Sequence, residues 1–209
     1  METDSLIEKL SIISVDDMRI YSYVIPRDYG FAPNPFYGYC TLATCKPDIR
    51  RLASIGDVVV GTGGVPNVNK IVYFMQVSEI VSFDQYWDDT RFLKKRPRFN
   101  AGVKQAYGDN IYHRGDDGGW IQERSHHTHE DGMMIQDNID TDTGKTENVL
   151  IGEVFSYWGD KAIEIPERYR DLVKTGPYHK CKFEDDFVEE VRGWLMKQDR
   201  GVIGDPSHW

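Results

Sequence analysis

The chain has few cysteines, no long apolar run and no excess of positive charge. Three cysteines occur among 209 residues, and an odd number without a CxxC pair excludes a disulfide scaffold and the usual zinc-knuckle spacings. No segment approaches the roughly 20 apolar residues of a membrane span. A formal net charge of −9 disfavours a protein that coats duplex DNA by charge alone, although it leaves room for a local basic groove.

The N-terminus also lacks the pattern of an exported protein. Residues 1–5 carry two acids where a signal peptide carries basic residues, and no apolar segment follows them. The thiols of Cys40, Cys45 and Cys181 are therefore expected to be reduced and to serve mainly in packing. These features predict a soluble, cytoplasmic protein.

The composition suits a folded domain. Hydrophobic residues make up 40% and charged residues 28% of the chain, which is close to the average for globular proteins. A chain of this length buries a core without covalent cross-links. We expect one domain over residues 1–209, with an amphipathic arm at 1–18, a loop-rich insertion at 91–148 and a C-terminal helix at 184–198.

Hydrophobic patterning predicts more strands than helices. Residues 19–25, 58–61 and 70–81 are rich in β-branched and aromatic side chains, and the last segment is apolar on both faces, as in a central strand. Residues 149–157 and 161–165 predict a β-hairpin.

Short helices are expected at 46–53 and 83–92, from a proline in the first turn of one and an aromatic face on the other. A polar tip with a turn is predicted at 137–147, and the tail from Gly201 is expected to be loose.

These elements predict an α+β fold. Strands do not alternate with long helices, which excludes a doubly wound α/β architecture. We expect a small, mostly antiparallel β-barrel with peripheral helices and the long insertion.

The loop at 26–36 is the first candidate binding segment. It contains Arg27, Asp28 and Asn34 between three prolines and several aromatic residues. A stiff loop at a strand end holds binding groups with little loss of entropy on binding. The alternative is a well-packed connection with a solvated Arg–Asp pair.

The glycine-rich segment at 56–64 is a second candidate, through Thr62 and Gly63. It is neither a P-loop nor a dinucleotide fingerprint, since no lysine follows the glycines and no helix opens after them. Its backbone amides are available to a carbonyl or phosphate oxygen. A plain turn between two strands is the alternative.

The third candidate segment is dense in groups that bind or react: Tyr107, Asp109, Asn110, Tyr112, His113 and Arg114. The carboxylate and the imidazole are candidate catalytic bases, the tyrosines can stack on a nucleobase, and the guanidinium can hold a phosphate. A polar loop anchored by buried tyrosines is the alternative.

Three of the six histidines lie at 125–131, and His126 and His127 are candidate ligand-binding residues. The spacing is not HExxH, and consecutive histidines on an extended segment point to opposite sides. A hydrogen-bonding cluster or an adventitious metal site is therefore favoured over a catalytic metal, and no metal or cofactor is assigned.

Basic residues collect at 91–98, with Phe92 among them and Phe99 directly after them. Against the acidic background this is the one phosphate-facing patch that the sequence suggests. The end of a solvated helix would give the same pattern.

Three strings in this order resemble the nucleotide modification associated domain family of the second type. They are the loop at 27–36 (RDYGFAPNPF), Cys45-Lys46-Pro47 with Gly56-Asp57 after it, and 107–114 (YGDNIYHR). The resemblance covers about residues 19–165. That family is known mainly from phage and bacterial gene neighbourhoods that encode DNA base-modifying enzymes. More loosely, the chain looks like the PUA, ASCH and EVE barrels, which bind modified bases or RNA and in a few cases are enzymes.

The resemblance and the residues together predict a PUA-like barrel whose mouth is closed by residues 26–36 and 107–129. Its expected ligand is a nucleobase or nucleotide, preferably a modified one, either free or in DNA or RNA. An enzyme that uses Asp109 or His113 as general base, for hydrolysis or group transfer, is the first alternative. A protein-interaction module that recruits a base-modifying enzyme is the second, and no membrane partner is expected.

Overall fold

A computed structural model of the protein describes residues 18–209, and the predicted arm lies outside these residues except for its last position. The strands are β1 (Ile20–Ile25), β2 (Cys40–Leu42), β3 (Val58–Gly63), β4 (Lys70–Gln76), β5 (Glu79–Ser82), β6 (Tyr112–Arg114), β7 (Trp120–Gln122), β8 (Asn148–Gly152), β9 (Val154–Tyr157), β10 (Ile163–Glu164), β11 (His179–Lys180) and β12 (Gly201–Val202). The α-helices are α1 (Pro47–Leu52), α2 (Phe83–Asp88), α3 (Val103–Ala106), α4 (Gln136–Thr143) and α5 (Asp185–Leu195). Short 3₁₀ helices occupy Thr90–Lys95, Gly159–Lys161 and Glu167–Leu172. No helix in this part of the chain combines the length and the apolar character needed to cross a membrane.

Seven strands form one large sheet in the order β11-β1-β3-β4-β9-β12, and β10 pairs with the start of β4. The β1–β3 and β9–β12 pairs are parallel, and the other pairs are antiparallel. Strand β4 is central and buried from Ile71 to Met75, as its two-sided apolar pattern predicts.

Two smaller sheets complete the strand structure, one in the order β2-β8-β5 and one formed by β6 and β7. Across residues 18–209 no sheet closes into a barrel, because β11 and β12 end the large sheet without pairing with each other. The protein is therefore a mixed fold of several sheets and few helices. The closed PUA-like barrel is not confirmed.

Both faces of the large sheet are covered. On one face, Val191 and Leu195 of α5 pack against Phe74 and its neighbours. On the other face, Leu42 of β2 and Leu150 of β8 bring the three-stranded sheet against it. A third apolar cluster joins that smaller sheet to the insertion, so the insertion is anchored on a rigid base.

The strand predicted at 70–81 is interrupted where it passes from one sheet to the other. The amide of Val77 donates to the backbone carbonyl of Asp57, beside the large sheet. The amide of the next residue, Ser78, donates to the backbone carbonyl of Ile151 in the smaller sheet. Periodicity alone does not reveal this change, because both halves are apolar.

The predicted hairpin at 149–165 is wrong. Strand β8 pairs with β2 and β5, whereas β9 pairs with β4 and β12, so the two strands belong to different sheets. Strand β10 pairs with β4 rather than with β9. Strand β8 is buried almost throughout and has a partner on each of its edges.

Two segments expected to be irregular are ordered. Residues 136–143 form helix α4 instead of a polar turn, and Asp142 is buried. The tail contains β12 and then crosses the loop at 26–36, where Trp209 stacks on Phe36 and its indole donates to the carbonyl of Tyr29.

Candidate ligand site

A cavity of about 270 Å³ lies where β1 ends, between the loop at 26–36 and the histidine segment of the insertion. We call it the first cavity. It is lined by Tyr23, Val24, Ile25, Pro26, Arg27, Tyr29, Phe31, Ala32, Cys45, Lys46, His126 and His127. Two segments about 100 residues apart in the chain thus form walls of one concavity, and His126 and His127 are the members of the predicted segment 107–129 that line it.

The loop is held in place by the buried carboxylate of Asp28. Both of its oxygens accept from the hydroxyl of Tyr157, at 2.7 and 2.6 Å, and one also accepts from the amide of Gly30. Burial raises the pKa of Asp28, and these hydrogen bonds oppose the shift. Asp28 is therefore a structural anchor of the wall and does not line the first cavity.

Asn34 and Asp109 lie in one buried polar network with Thr41, Tyr86 and Lys95. The ammonium of Lys95 donates to Asn34 Oδ1 at 2.7 Å and to Thr41 Oγ1 at 3.1 Å. Thr41 in turn donates to Asp109 Oδ2 at 2.6 Å, and the hydroxyl of Tyr86 donates to Asp109 Oδ1 at 2.8 Å. We call this set the Lys95 network.

The charges of the Lys95 network are fully buried. Burial lowers the pKa of Lys95 to about 8, although Asp109 acts in the opposite direction. Burial also raises the pKa of Asp109, against the effect of Lys95 and the hydrogen bonds from Thr41 and Tyr86. The ammonium of Lys95 and the carboxylate of Asp109 both form their hydrogen bonds with protein atoms. Lys95 was predicted within a phosphate-facing basic patch, and its complete burial makes that prediction wrong for this residue.

Aromatic rings form the part of the wall nearest the insertion. The rings of Tyr29 and Tyr107 stack at 5.2 Å, and the imidazole of His126 lies 4.7 Å from Tyr29 and 5.5 Å from Phe31. His126 is exposed and also lines a neighbouring cavity with Tyr107. An exposed imidazole framed by rings offers a planar ligand a face on which to stack.

Cys45, His127 and Asp142 form a line of hydrogen-bonding side chains beside the first cavity. Cys45 Sγ lies 3.6 Å from His127 Nε2, and His127 Nδ1 lies 2.9 Å from Asp142 Oδ2. Burial lowers the pKa of His127, but its hydrogen bonds to Asp142 and Cys45 outweigh this and raise it to about 10.

The carboxylate of Asp142 is fixed from several directions. Its Oδ1 accepts from the amide of Cys45 at 2.6 Å, and its Oδ2 also accepts from the hydroxyl of Tyr112 at 2.9 Å. The buried guanidinium of Arg50 donates to the carbonyls of Asp142, Cys45 and Asn148. The start of α1 and helix α4 are thereby locked together.

The other predicted site residues lie outside the first cavity. Thr62 is buried and donates to the carbonyl of Tyr23, and Asn110 is buried and donates to the carbonyl of Tyr86. Gly63 lines a second cavity of about 450 Å³, which shares Lys46 with the first.

His113 and Arg114 face a different surface. The imidazole of His113 stacks on Trp87 at 4.0 Å and contacts Glu123, while Arg114 pairs with Glu147 and lies over Trp120. Of the predicted residues, Arg27, His126 and His127 are the ones that line the first cavity.

Three residues of this region were not predicted as site residues: Cys45, Lys46 and Asp142. Cys45 and Lys46 belong to a string that carries the family resemblance, and that string was the available signal. Asp142 is one of many acids in a polar segment, and its role depends on the tertiary contact between α4 and α1. No set of three or more His, Cys, Asp or Glu within residues 18–209 is arranged to hold a metal ion.

The Lys95 network yields a stability prediction. We expect Lys95→Met to lower the free energy of unfolding by about 3–5 kcal/mol, because the carboxylate of Asp109 stays buried without its compensating charge. The exposed neighbour Lys94 gives the control, since Lys94→Met is expected to change the free energy of unfolding by less than about 0.5 kcal/mol. Urea denaturation measures both variants, and equal values for the two would contradict the structural role of Lys95.

The raised pKa of His127 yields a pH prediction. Between its ordinary value of 6.5 and about 10, the folded protein binds more protons at this site than the unfolded chain does. The contribution of His127 to stability is thus complete below pH 6.5 and is lost as the pH rises through about 10. The stability difference between wild type and His127→Gln is expected to shrink over this interval in urea denaturation series. The same series with His129→Gln, at an exposed histidine of the same segment, provides the matched comparison.

Comparison with known proteins gives one match. Residues 17–209 match the family model described as nucleotide modification associated domain 2. No match is found among curated proteins or among solved structures, so the looser similarity to PUA-like barrels is not confirmed. The match extends the resemblance seen over residues 19–165 through the C-terminal helix and tail. The chain therefore belongs to the nucleotide modification associated domain 2 family.

Proposed function

We propose that the first cavity binds a nucleobase or nucleotide, preferably a modified one. The observation that carries this proposal is the joint wall drawn from residues 26–32 and 126–127, which combines aromatic faces with the positive charge of Arg27 in one concavity. A volume of about 270 Å³ is at the small end of ligand sites and suits a single base rather than a folded polymer.

The walls offer complementary groups to the two halves of a nucleotide. Tyr29, Phe31 and His126 present ring surfaces on which a base can stack. Arg27 is exposed at the cavity rim and can form a bidentate contact with a phosphate. A base has to leave a duplex to enter such a site, so free nucleotides, single strands and flipped bases are the expected forms.

The local charge favours an anionic ligand despite the acidic balance of the chain. Arg27, Lys46 and Lys174 line the two adjoining cavities, and none forms an ion pair with a carboxylate of the described residues. Burial lowers the pKa of Lys46, and the charge of Lys174 lowers it further against the effect of Cys45. A phosphate between these cations would relieve their repulsion.

This proposal gives Asp109 and His113 no chemical part. Asp109 is enclosed in the Lys95 network, and His113 lies with Trp87 and Glu123 away from the cavity. Asn34 and Asn110 have no part in this proposal either, because their side-chain amides donate to backbone carbonyls.

Binding can be tested by calorimetry with 2′-deoxycytidine, its 5′-monophosphate, the 5-hydroxymethylated monophosphate and a short single-stranded oligonucleotide. We expect the monophosphates to bind more tightly than the nucleoside. Arg27→Ala should weaken monophosphate binding about tenfold or more through loss of a charge-assisted contact, and should leave nucleoside binding nearly unchanged. The control is Arg168→Ala, an exposed arginine in the 3₁₀ helix on the other face of the large sheet.

Stacking on the imidazole is tested separately. We expect His126→Ala to weaken binding of nucleoside and monophosphate alike by about 1–3 kcal/mol, or roughly 5–150-fold, because the base loses a stacking surface. His129→Ala serves as control, since His129 lies outside the first cavity. The proposal fails if no member of the panel binds at millimolar concentration, or if neither cavity substitution changes affinity.

A further inference from the structure

We propose that Cys45 is a nucleophile, that His127 exchanges protons with it and with the departing group, and that Asp142 positions the imidazole. The identity of the substrate rests on the proposed function. The nucleophile itself rests on independent geometry.

The arrangement follows the order that nucleophilic catalysis requires. A thiol lies within reach of an imidazole, at 3.6 Å, and the far nitrogen of that imidazole contacts a carboxylate at 2.9 Å. Cys45 and His127 line the first cavity, while Asp142 is buried behind them. A ligand in the cavity would therefore meet the sulfur and the imidazole, but not the carboxylate.

The other two thiols lack this setting. Cys40 is fully buried, and Cys181 packs partly buried at the edge of the core beneath the large sheet. In the part of the chain that the structure describes, Cys45 is the cysteine whose sulfur lies within hydrogen-bonding distance of an imidazole. The expectation that all three thiols serve mainly in packing therefore does not account for Cys45.

The backbone at Cys45 is held in an unusual conformation. Cys45 and Lys46 have φ values of 55° and 43°, in the left-handed region that residues with a Cβ rarely adopt. The carboxylate of Asp142 accepts from the amide of Cys45, and the guanidinium of Arg50 donates to the carbonyl of Cys45. Strain of this kind persists where surrounding contacts enforce it, which is common at functional sites.

One buried carboxylate thus fixes both reacting partners. Oδ1 of Asp142 holds the backbone of Cys45, and Oδ2 holds the ring of His127. The hydroxyl of Tyr112 also donates a hydrogen bond to Oδ2 of Asp142. The separation between sulfur and imidazole is consequently set by a single rigid group.

The imidazole of His127 carries a positive charge where it faces the sulfur of Cys45. With its pKa near 10, His127 is protonated at neutral pH and donates through Nε2 toward the sulfur. The charged and titratable groups that face this pair are Tyr23, Lys46, Arg50, Tyr112, His126 and Asp142.

The substrate class that fits is an amide or ester carried by a modified base. The thiolate adds to the acyl carbon, and the bond from that carbon to nitrogen or oxygen then breaks. The electron pair of the broken bond goes to the leaving nitrogen or oxygen, which takes the proton of His127 and departs as an amine or alcohol. Water hydrolyses the resulting thioester, His127 accepts the proton of that water, and a carboxylic acid and the free Cys45 are released.

The first test needs no substitution to be informative. Wild-type protein is alkylated with iodoacetamide at a series of pH values, and Cys45 and Cys181 are quantified separately by peptide mass mapping. We expect Cys45 to react about tenfold faster than Cys181 at pH 6, because an imidazolium within hydrogen-bonding distance makes a cysteine sulfur a better nucleophile. In His127→Gln the reactivity of Cys45 at pH 6 should fall to that of Cys181. In Asp142→Asn the same pH profile should move toward that of an isolated thiol.

The second test measures acyl transfer. With p-nitrophenyl acetate we expect a burst of nitrophenolate and one acetyl group mapped to Cys45. With N4-acetyl-2′-deoxycytidine 5′-monophosphate we expect release of acetate. Cys45→Ser and His127→Gln should reduce turnover about a hundredfold or more, whereas Cys181→Ser should leave it unchanged.

The outcomes separate this inference from the proposed function. Identical pH profiles for Cys45 and Cys181 in wild-type protein, or acetylation elsewhere, would overturn the nucleophile. If Cys45→Ser still binds the monophosphate while wild type is never acylated, the proposed function stands alone. Acylation of Cys45 without binding of any nucleotide would leave the nucleophile standing and overturn the proposed function.

Discussion

The fold depends on the hydrogen bonds that compensate the buried ammonium of Lys95. Lys95 is completely enclosed, and a charge without water needs partners that are fixed in space. Its partners Asn34 and Thr41 belong to the loop at 26–36 and to β2. Thr41 in turn donates a hydrogen bond to Asp109 in the insertion. The same interaction that satisfies the charge therefore ties together the segments that enclose the first cavity.

The sequence predicted the parts of this structure that local patterning determines. Strand β1, helix α1, the central position of β4 and helix α5 follow from periodicity and turn residues, because their burial is decided within a few neighbours. The pairing of β8 and β9 with different sheets could not be predicted, since both are short apolar strands and their partners lie far away in the chain. The same limit applies to the site. Residue type and density pointed to Arg27, His126 and His127, but did not distinguish them from Asp109 or Asn110, which the fold buries.

Membership of the nucleotide modification associated domain 2 family and the chemistry of the cavity support one another without overlapping. The family supplies the context of nucleotide modification. The walls supply aromatic rings, the cations of Arg27 and Lys46, and a thiol held beside an imidazole. In the function and chemistry that we propose, such a site selects a base by its shape and charge and presents one of its substituents to sulfur. Recognition and reaction would then use opposite sides of the same small space.

The pairing of β1 with β11 has a consequence for biosynthesis. Ser22 and Tyr23 face Lys180 and His179 across this sheet edge, so the strand that forms the cavity floor lacks one neighbour until residue 180 has been translated and has left the ribosome. The tail that packs over the loop at 26–36 emerges later still. Closure of the pocket therefore depends on contacts between segments about 150 residues apart, which cannot form until both segments have been synthesised.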